Sequence, residues 1–165
     1  MSRKTLIFDA EACVGCYACA VACVDQNDID VFGDQLAYRH VMHVERMQDG
    51  EVRITHVSLA CQHCENAECL DACPSRALRR DAATGAVVVH RELCIGCHAC
   101  AMACPFGIPR FGRDGTMQKC DSCHARTRFG YAPACVDICP TGALTYEGAN
   151  EASAAKQVRF AKTLA

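Results

Sequence analysis

The chain's sixteen cysteines fall in four groups of four: Cys13, Cys16, Cys19, Cys23; Cys61, Cys64, Cys69, Cys73; Cys94, Cys97, Cys100, Cys104; and Cys120, Cys123, Cys135, Cys139. Thiolates are soft anionic donors that suit zinc, copper(I) and iron-sulfur clusters, and the spacing decides among them. The third group reads C-x2-C-x2-C-x3-C-P, ending at Cys104-Pro105. In such a run three thiolates hold one cubane and the fourth reaches a neighbouring one. Four complete groups therefore predict four [4Fe-4S] clusters, and the chemistry such clusters perform is one-electron transfer.

Three other uses of cysteine fit less well. A disulfide framework belongs to oxidising compartments and usually follows a secretory leader, whereas Thr5-Leu6-Ile7-Phe8 leads straight to Asp9 and Glu11. A zinc ribbon pairs two widely separated dyads, while here three thiolates crowd into seven residues with a fourth just beyond. A Rieske centre needs two His in place of two Cys, and a three-iron cluster needs a missing thiolate. Each group keeps all four.

The elements that must position these thiols are short. The stretches Cys13–Cys23 and Cys94–Cys104 differ only at Val14/Ile95, Tyr17/His98 and Val21/Met102. Cys73-Pro-Ser-Arg-Ala-Leu78 is echoed by Cys139-Pro-Thr-Gly-Ala-Leu144. These repeats predict a duplicated two-cluster unit of α+β class, alternating small β-pairs with single helical turns. Gly15 and Gly96 allow a loop to wrap closely, and the Ala residues after Cys19 and Cys100 suit a tight helical turn. Thr5–Phe8 and Val87–His90 read as strands entering a Cys group. Val41–Met47 and Val52–Ser58 read as a hairpin across Asp49-Gly50. Thr84-Gly85 and Glu147-Gly148 read as turns. From Glu151 onward the Ala-rich tail reads as a weak amphipathic helix or a frayed terminus.

Composition agrees with a core supplied by clusters. Aromatic residues make up 6% of the chain and Trp is absent, which is meagre for a conventional core at this length. Cluster binding then contributes folding free energy, and the apo-chain is expected to be largely unfolded. The formal charge is -2; four clusters with their thiolates, each about -2 when oxidised, would take it to about -10. Nucleic-acid binding has no support in such a balance. Apolar runs such as Ala86–Val89 fall far short of a membrane span, so no direct insertion is expected. Ser2-Arg3-Lys4 is only faintly like a twin-arginine signal, with no apolar region or cleavage site behind it. A cytoplasmic location is expected, with export as the passenger of a signal-bearing partner as the alternative.

The four Cys groups, with Cys104-Pro-Phe-Gly-Ile-Pro109, Cys120-Asp-Ser-Cys-His-Ala-Arg126, Gly130 and Pro133-Ala-Cys-Val-Asp-Ile-Cys-Pro-Thr-Gly-Ala-Leu144, make the chain resemble the four-cluster iron-sulfur subunits of molybdenum and tungsten pterin oxidoreductases, the dimethyl sulfoxide reductase type. The likeness runs from about residue 5 to 147. It implies two ferredoxin-like units, the second (59–112) inserted into a discontinuous first (1–58 with 113–150), and a tail at 151–165. It implies also how thiolates are shared. Cys13, Cys16, Cys19 and Cys139 hold cluster 1; Cys23, Cys120, Cys123 and Cys135 hold cluster 2; Cys73, Cys94, Cys97 and Cys100 hold cluster 3; Cys61, Cys64, Cys69 and Cys104 hold cluster 4. This exchange suits the spacing, because a fourth Cys before Pro74, Pro105 or Pro140 points away from the cube its neighbours bind. Cys23 is followed by Val24 instead of Pro, with the spacing intact.

The resemblance further implies a molybdenum- or tungsten-pterin catalytic subunit as partner, of aldehyde oxidoreductase or formate dehydrogenase type, and a second redox partner such as a flavoprotein subunit or a ferredoxin. The inserts and C-terminal extensions common in relatives do not occur here, so a soluble complex is expected over a quinone-linked one. Electrons would pass from cluster 1, nearest the catalytic subunit, through clusters 2 and 3 to cluster 4 at the far end, beside His63, Glu65 and Glu68. A freely diffusing polyferredoxin and a cluster-assembly factor are the competing functions. No G-x-G-x-x-G, P-loop or nucleophile motif is present, so the chain is not expected to be an enzyme alone.

Other residues carry weaker signals. His40, His43, His56 and His90 lie on or beside strands, where surface or packing roles dominate. His63, His98 and His124 adjoin cysteines, where a donor could raise a cluster's potential. Tyr17 replaces His98 in the repeat and is expected to cover a cluster from water. Arg76, Arg79, Arg80, Arg110, Arg113, Arg126 and Arg128 lie near Cys groups and either offset cluster charge or form a solvated surface.

Overall fold

The computed structural model describes residues 4–30, 32 and 37–163; Ser2 and Arg3 of the leader-like start lie outside them. Four two-stranded antiparallel sheets and six helices carry the cysteine loops among these residues. Strand β1 (Lys4–Phe8) pairs with the last strand, β8 (Leu144–Gly148), in the register Phe8↔Leu144 to Lys4↔Gly148. Between them lie α1 (Ala18–Gln26), the hairpin β2 (His40–Gln48) and β3 (Glu51–Leu59), α2 (Glu68–Asp71), and the pair β4 (Leu78–Arg80) and β5 (Val87–Val89). A 3-10 turn at Arg91–Leu93, α3 (Ala99–Ala103), β6 (Arg110–Phe111), β7 (Met117–Gln118), α4 (His124–Thr127) and α5 (Ala134–Asp137) complete the interior of the chain.

Local chemistry explains these elements. Asp49 (φ 54) and Gly50 (φ 83) both take positive φ, which a two-residue hairpin turn of type I′ requires. In the β4–β5 turn the Asp81 carboxylate accepts from the Thr84 amide and hydroxyl, both at 2.8 Å. The β6–β7 pair has no counterpart among the sequence expectations; it closes around Gly112–Gly115, where Asp114 accepts from the Thr116 amide (3.0 Å) and hydroxyl (2.8 Å).

The expected turn at Glu147-Gly148 is corrected. Those residues continue β8 opposite Thr5 and Lys4, because pairing with β1 satisfies their backbone in extended form. The chain then enters α6 (Ala149–Thr163), whose start is capped by the Gly148 amide donating to Glu151 Oε2 at 3.0 Å. The tail is thus helical, two residues earlier than expected.

Corresponding repeat positions adopt corresponding geometry. Phe8 faces Leu144 as Val89 faces Leu78. The Asp9 amide donates to Ala143 O (2.8 Å) as the His90 amide donates to Ala77 O (2.7 Å). Tyr17 and His98, both at φ 63, open α1 and α3. Two small cores result, and cysteines form much of each. One gathers Leu78, Val87, Cys100 and Met117 with Cys64, Cys69, Cys73 and Cys94 packed against it. The other joins Cys19, Cys135 and Leu144 with Leu6, Phe8 and Cys139.

Candidate metal centre

Each thiol group is held by a loop that ends on a short helix. Gly15 and Gly96 both sit at φ 66, and a side chain on Gly96 would place Cβ 2.7 Å from Gly115 O. Only glycine lets that loop pass. The loop delivers Cys94, Cys97 and Cys100, and Cys73 arrives from the start of the β4 approach. These four thiols line one cavity of about 320 Å³, walled also by Leu78, Val89 and Phe111.

A second cavity, again about 320 Å³, is lined by Cys23, Cys120, Cys123 and Cys135, with Leu6, Arg39 and Pro133. Cys61, Cys64 and Cys104 lie close enough to Cys69 for their thiolates to disfavour its ionisation. Cys19 and Cys139 meet in the core at Leu144, while Cys13 and Cys16 occupy the loop before α1. The structure thus brings together, set by set, residues from separate groups. Around a single zinc ion, Zn–S bonds of about 2.3 Å would draw sulfurs onto one point. Among the described residues no three His, Cys, Asp or Glu converge in that way. The thiols instead surround cavities, the wider spacing that a cube's outer corners need.

Electrostatics agree with a cationic guest. Burial pushes the Cys120 thiol up to about 12, and Cys100 and Cys123 to about 11, against an ordinary 9.0. Neighbouring thiolates add to this: Cys73 beside Cys100, and Cys135 and Cys23 beside Cys123. Four thiolates sharing one apolar wall require a compensating positive centre to ionise, which iron supplies. Cys73 and Cys139 go the other way. Burial opposes their ionisation, but backbone hydrogen bonds from Leu78, Ala77 and Ser75 to Cys73, and from Leu144, Thr141 and Ala143 to Cys139, outweigh it together with the Ser75 and Thr141 hydroxyls. Amides also point at sulfur from Met117 to Cys94 (3.3 Å), Ser122 to Cys120 (3.3 Å) and His63 to Cys61 (3.5 Å). Such donors stabilise thiolate charge.

Several expectations about neighbouring residues are corrected. His98 stacks on Phe111 with ring centroids 3.8 Å apart, an apolar role that packs a cavity wall. His63 Nδ1 accepts from the Val87 amide at 2.9 Å, so that nitrogen is no donor to sulfur. His124 Nε2 lies 3.2 Å from the Asp81 carboxylate. Tyr17 is exposed, its hydroxyl 2.8 Å from His43 Nε2, and His43 Nδ1 is 2.7 Å from His56 Nδ1. His90 pairs with Glu92 at 3.3 Å, and His40 is half-buried, its pKa lowered by burial and then by Arg110 and Arg39. Arg80 and Arg126 serve the backbone: Arg80 donates to the carbonyls of Cys64, Glu65 and Gly85, and Arg126 to Ala132 O and to Asp137. Arg76, Arg79, Arg110, Arg113 and Arg128 are exposed. Sequence reasoning misses two buried cations, Arg39 and Lys119, which are 3% and 5% exposed. Lys119 directly precedes Cys120 and could be found on that ground; Arg39 lies in no motif.

The expected order of the two middle sets is also corrected. The Cys61 thiolate is felt at Cys120, and Cys69 is felt at Cys100. Cys61 and Ser122 line one cavity. The set containing Cys61 therefore adjoins the set containing Cys120, and the set containing Cys97 lies beyond it. The inserted segment meets the rest of the chain through its first loop because Lys119, bonded to the carbonyls of Val87 and Cys120, ties β5 to the fourth group.

Comparison with known proteins matches this geometry. The family model described as a 4Fe-4S dicluster domain covers residues 52–148, and a 4Fe-4S binding domain covers 10–24. The chain belongs to the 4Fe-4S dicluster family. It is similar to the B subunit of anaerobic dimethyl sulfoxide reductase from Haemophilus influenzae, 35% identical over 161 residues that make up 92% of this chain and 77% of the relative. It is similar also to the thiosulfate reductase electron transfer subunit PhsB of Salmonella typhi, 37% identical over 147 residues, 88% of this chain and 76% of the relative. Protein NrfC of Escherichia coli K12 is 37% identical over 147 residues, 87% of this chain and 65% of its own length. This dicluster protein is an iron-sulfur electron-transfer subunit of an oxidoreductase complex and is not catalytic alone.

Proposed function

We propose that this subunit holds four [4Fe-4S] clusters in a nested pair of ferredoxin-like units and conducts electrons between a molybdenum- or tungsten-pterin catalytic subunit and a second redox partner. The pairing of β1 with β8 around the self-contained β4–β5 pair, in matching registers, supports the insertion of 59–112 into 1–58 with 113–150. Cys13, Cys16, Cys19 and Cys139 hold the first cluster, and Cys23, Cys120, Cys123 and Cys135 the second. Cys61, Cys64, Cys69 and Cys104 hold the next, and Cys73, Cys94, Cys97 and Cys100 the last. The clusters supply reversible one-electron chemistry. The chain's own residues hold iron, exclude water from the inner sets and direct amide dipoles at sulfur.

One observation carries the reading. Among the sixteen cysteines only Cys16 and Cys97 are exposed, and they belong to the first and last sets of the row. A conductor needs an opening at each end and insulation between. Around Cys97 the exposed Ile95 and Met102 form an apolar rim, as Val14 and Val21 do near Cys16. That rim replaces the expected docking site at His63, Glu65 and Glu68 for the second partner. The names of two relatives, a dimethyl sulfoxide reductase subunit and a thiosulfate reductase subunit, favour a reductase partner, with electrons entering near Cys97 and leaving near Cys16. A cytoplasmic location remains part of this proposal through the need to protect reduced clusters.

The test is purification of the tagged protein from its own cells without oxygen. A fixed stoichiometric complex containing molybdenum or tungsten is expected, released by charged substitutions at Val14 and Val21 and not at Ile95 and Met102. A stable metal-replete monomer would favour a diffusing polyferredoxin, and clusters that cannot be reduced would favour a structural or assembly role.

A further inference from the structure

Arg39 occupies the wall between the first two thiol sets. Its Nη1 donates to the Ser58 hydroxyl at 3.0 Å and to the Ser58 carbonyl at 3.4 Å. Ser58 Oγ in turn lies 3.4 Å from Cys19 Sγ. On the other side Arg39 lines the cavity of Cys23, Cys120, Cys123 and Cys135. Its guanidinium hydrogen-bonds Cys135, its backbone hydrogen-bonds Cys23, and its charge favours the thiolate at Cys23, Cys120 and Cys135. Three of the four thiols in that set therefore face one buried cation. Asp121 lines the same cavity with opposite sign, and Lys119 adds a second positive charge toward Cys120.

Burying a guanidinium is unfavourable unless something in the wall repays its lost hydration. Ser58 alone is neutral. A cluster with its thiolates carries net negative charge, and each electron passing along the row adds one more without forming or breaking a bond. The electron arrives from one neighbouring set and leaves for the next. A fixed cation beside one set lowers the free energy of its more negative state, and in a wall without water that attraction is weakly screened. Arginine suits the place because it keeps its proton at every working pH and its fork can hold Ser58 while reaching sulfur.

We propose that Arg39, anchored by Ser58, is a positioning residue that raises the reduction potential of the set Cys23, Cys120, Cys123 and Cys135 selectively over the three others. The proposal rests on the ligand sets given above. It makes this set the resting place of an electron inside the wire, one step from the catalytic end.

The test is a redox titration of the anaerobic, fully loaded protein followed by EPR, with the relevant signal assigned as the one lost in Cys120→Ser. In Arg39→Gln, the reduced-to-oxidised ratio of that signal at a given potential should fall at least about tenfold, equivalent to 59 mV for one electron. The other signals should move less than about threefold, equivalent to roughly 28 mV by the same constant. The shift should be the same at pH 6 and pH 9, and Arg39→Lys should recover most of it. An unchanged ratio in Arg39→Gln with full iron content would overturn the proposal, as would an equal shift in every signal. If Arg39→Gln loads poorly, Ser58→Ala loosens the anchor and keeps the charge; a smaller shift confined to the same signal is expected, and no shift counts against. Failure of the ligand sets is separately visible, because Cys120→Ser would then abolish no single signal whatever Arg39 does.

Discussion

Replacing Arg80 by Met should loosen one thiol set and spare the others. From β4 its guanidinium donates to Gly85 O at 2.9 Å, to Glu65 O at 2.8 Å and to Cys64 O. One side chain thereby ties the loop of Cys61, Cys64 and Cys69 to the β4–β5 turn. A hydrogen bond to a charged group contributes about 1.5–3 kcal/mol when well shielded. Arg80 is half-buried, so about 1 kcal/mol per bond and about 3 kcal/mol for the fork is the appropriate scale. At about 1.4 kcal/mol per factor of ten, the open form of that loop becomes on the order of a hundredfold more populated. Methionine keeps the apolar stem, so lost packing does not confuse the comparison. The assay mixes the loaded protein, without oxygen, with a ferrous chelator and a thiol-alkylating reagent, and follows each cysteine by peptide mass spectrometry. Alkylation of Cys61, Cys64 and Cys69 should accelerate by about that factor, with Cys13, Cys16 and Cys19 within about twofold of native, as distant sites are nearly independent. A uniform acceleration at all groups, or none at Cys64, would refute the role given to Arg80.

Cys139→Ser should damage the set shared with Cys13, Cys16 and Cys19 while leaving both sets of the inserted unit intact; loss of the set at Cys120 and Cys123 instead would mean the exchange of ligands is wrong. Gly96→Ala forces a left-handed alanine, costing about 1–2 kcal/mol, and also presses Cβ to 2.7 Å from the fixed Gly115 carbonyl. Gly15→Ala meets the His56 ring at 2.6 Å, which can turn away, so the Tm of the loaded protein should fall further in Gly96→Ala, and equal falls would contradict the argument. The Asp81 carboxyl is held at about 2, below its ordinary 3.8, first by the Thr84 amide, then by the Thr84 hydroxyl and His124. A depressed folded pKa gives stability that is complete above about pH 4 and vanishes as pH falls toward 2. Asp81→Asn should therefore lower Tm by a constant interval from pH 5 to 8, with the gap closing below about pH 4; a gap that widens in acid would overturn this.

Much of the site is legible in the sequence because cluster ligation is local. Three thiols in seven residues and a fourth just beyond define a loop whatever surrounds it, and the repeat of Cys13–Cys23 at Cys94–Cys104 carries over even to the φ of Gly15 and Gly96. The Asp49-Gly50 hairpin is equally readable, since its turn chemistry is self-contained. What escapes depends on tertiary contact. The β6–β7 pair is two residues long on each side and has no periodicity to detect. Glu147-Gly148 resembles a turn until β1 arrives to pair with it. His98 looks like a polar donor, but Phe111 offers its ring a stacking partner. Arg39 stands far from any cysteine in sequence and reaches its set only after β2 and β3 fold back. The order of the sets escapes for the same reason: proximity of Cys61 to Cys120 is a property of packing, and no spacing encodes it.

The most direct test of the central claim is the iron, acid-labile sulfide and zinc content per chain of protein purified without oxygen. Sixteen thiols in four complete sets predict close to sixteen iron and about sixteen sulfide, with negligible zinc. Stoichiometric zinc, or only about eight iron in protein shown to be fully loaded, would contradict the account.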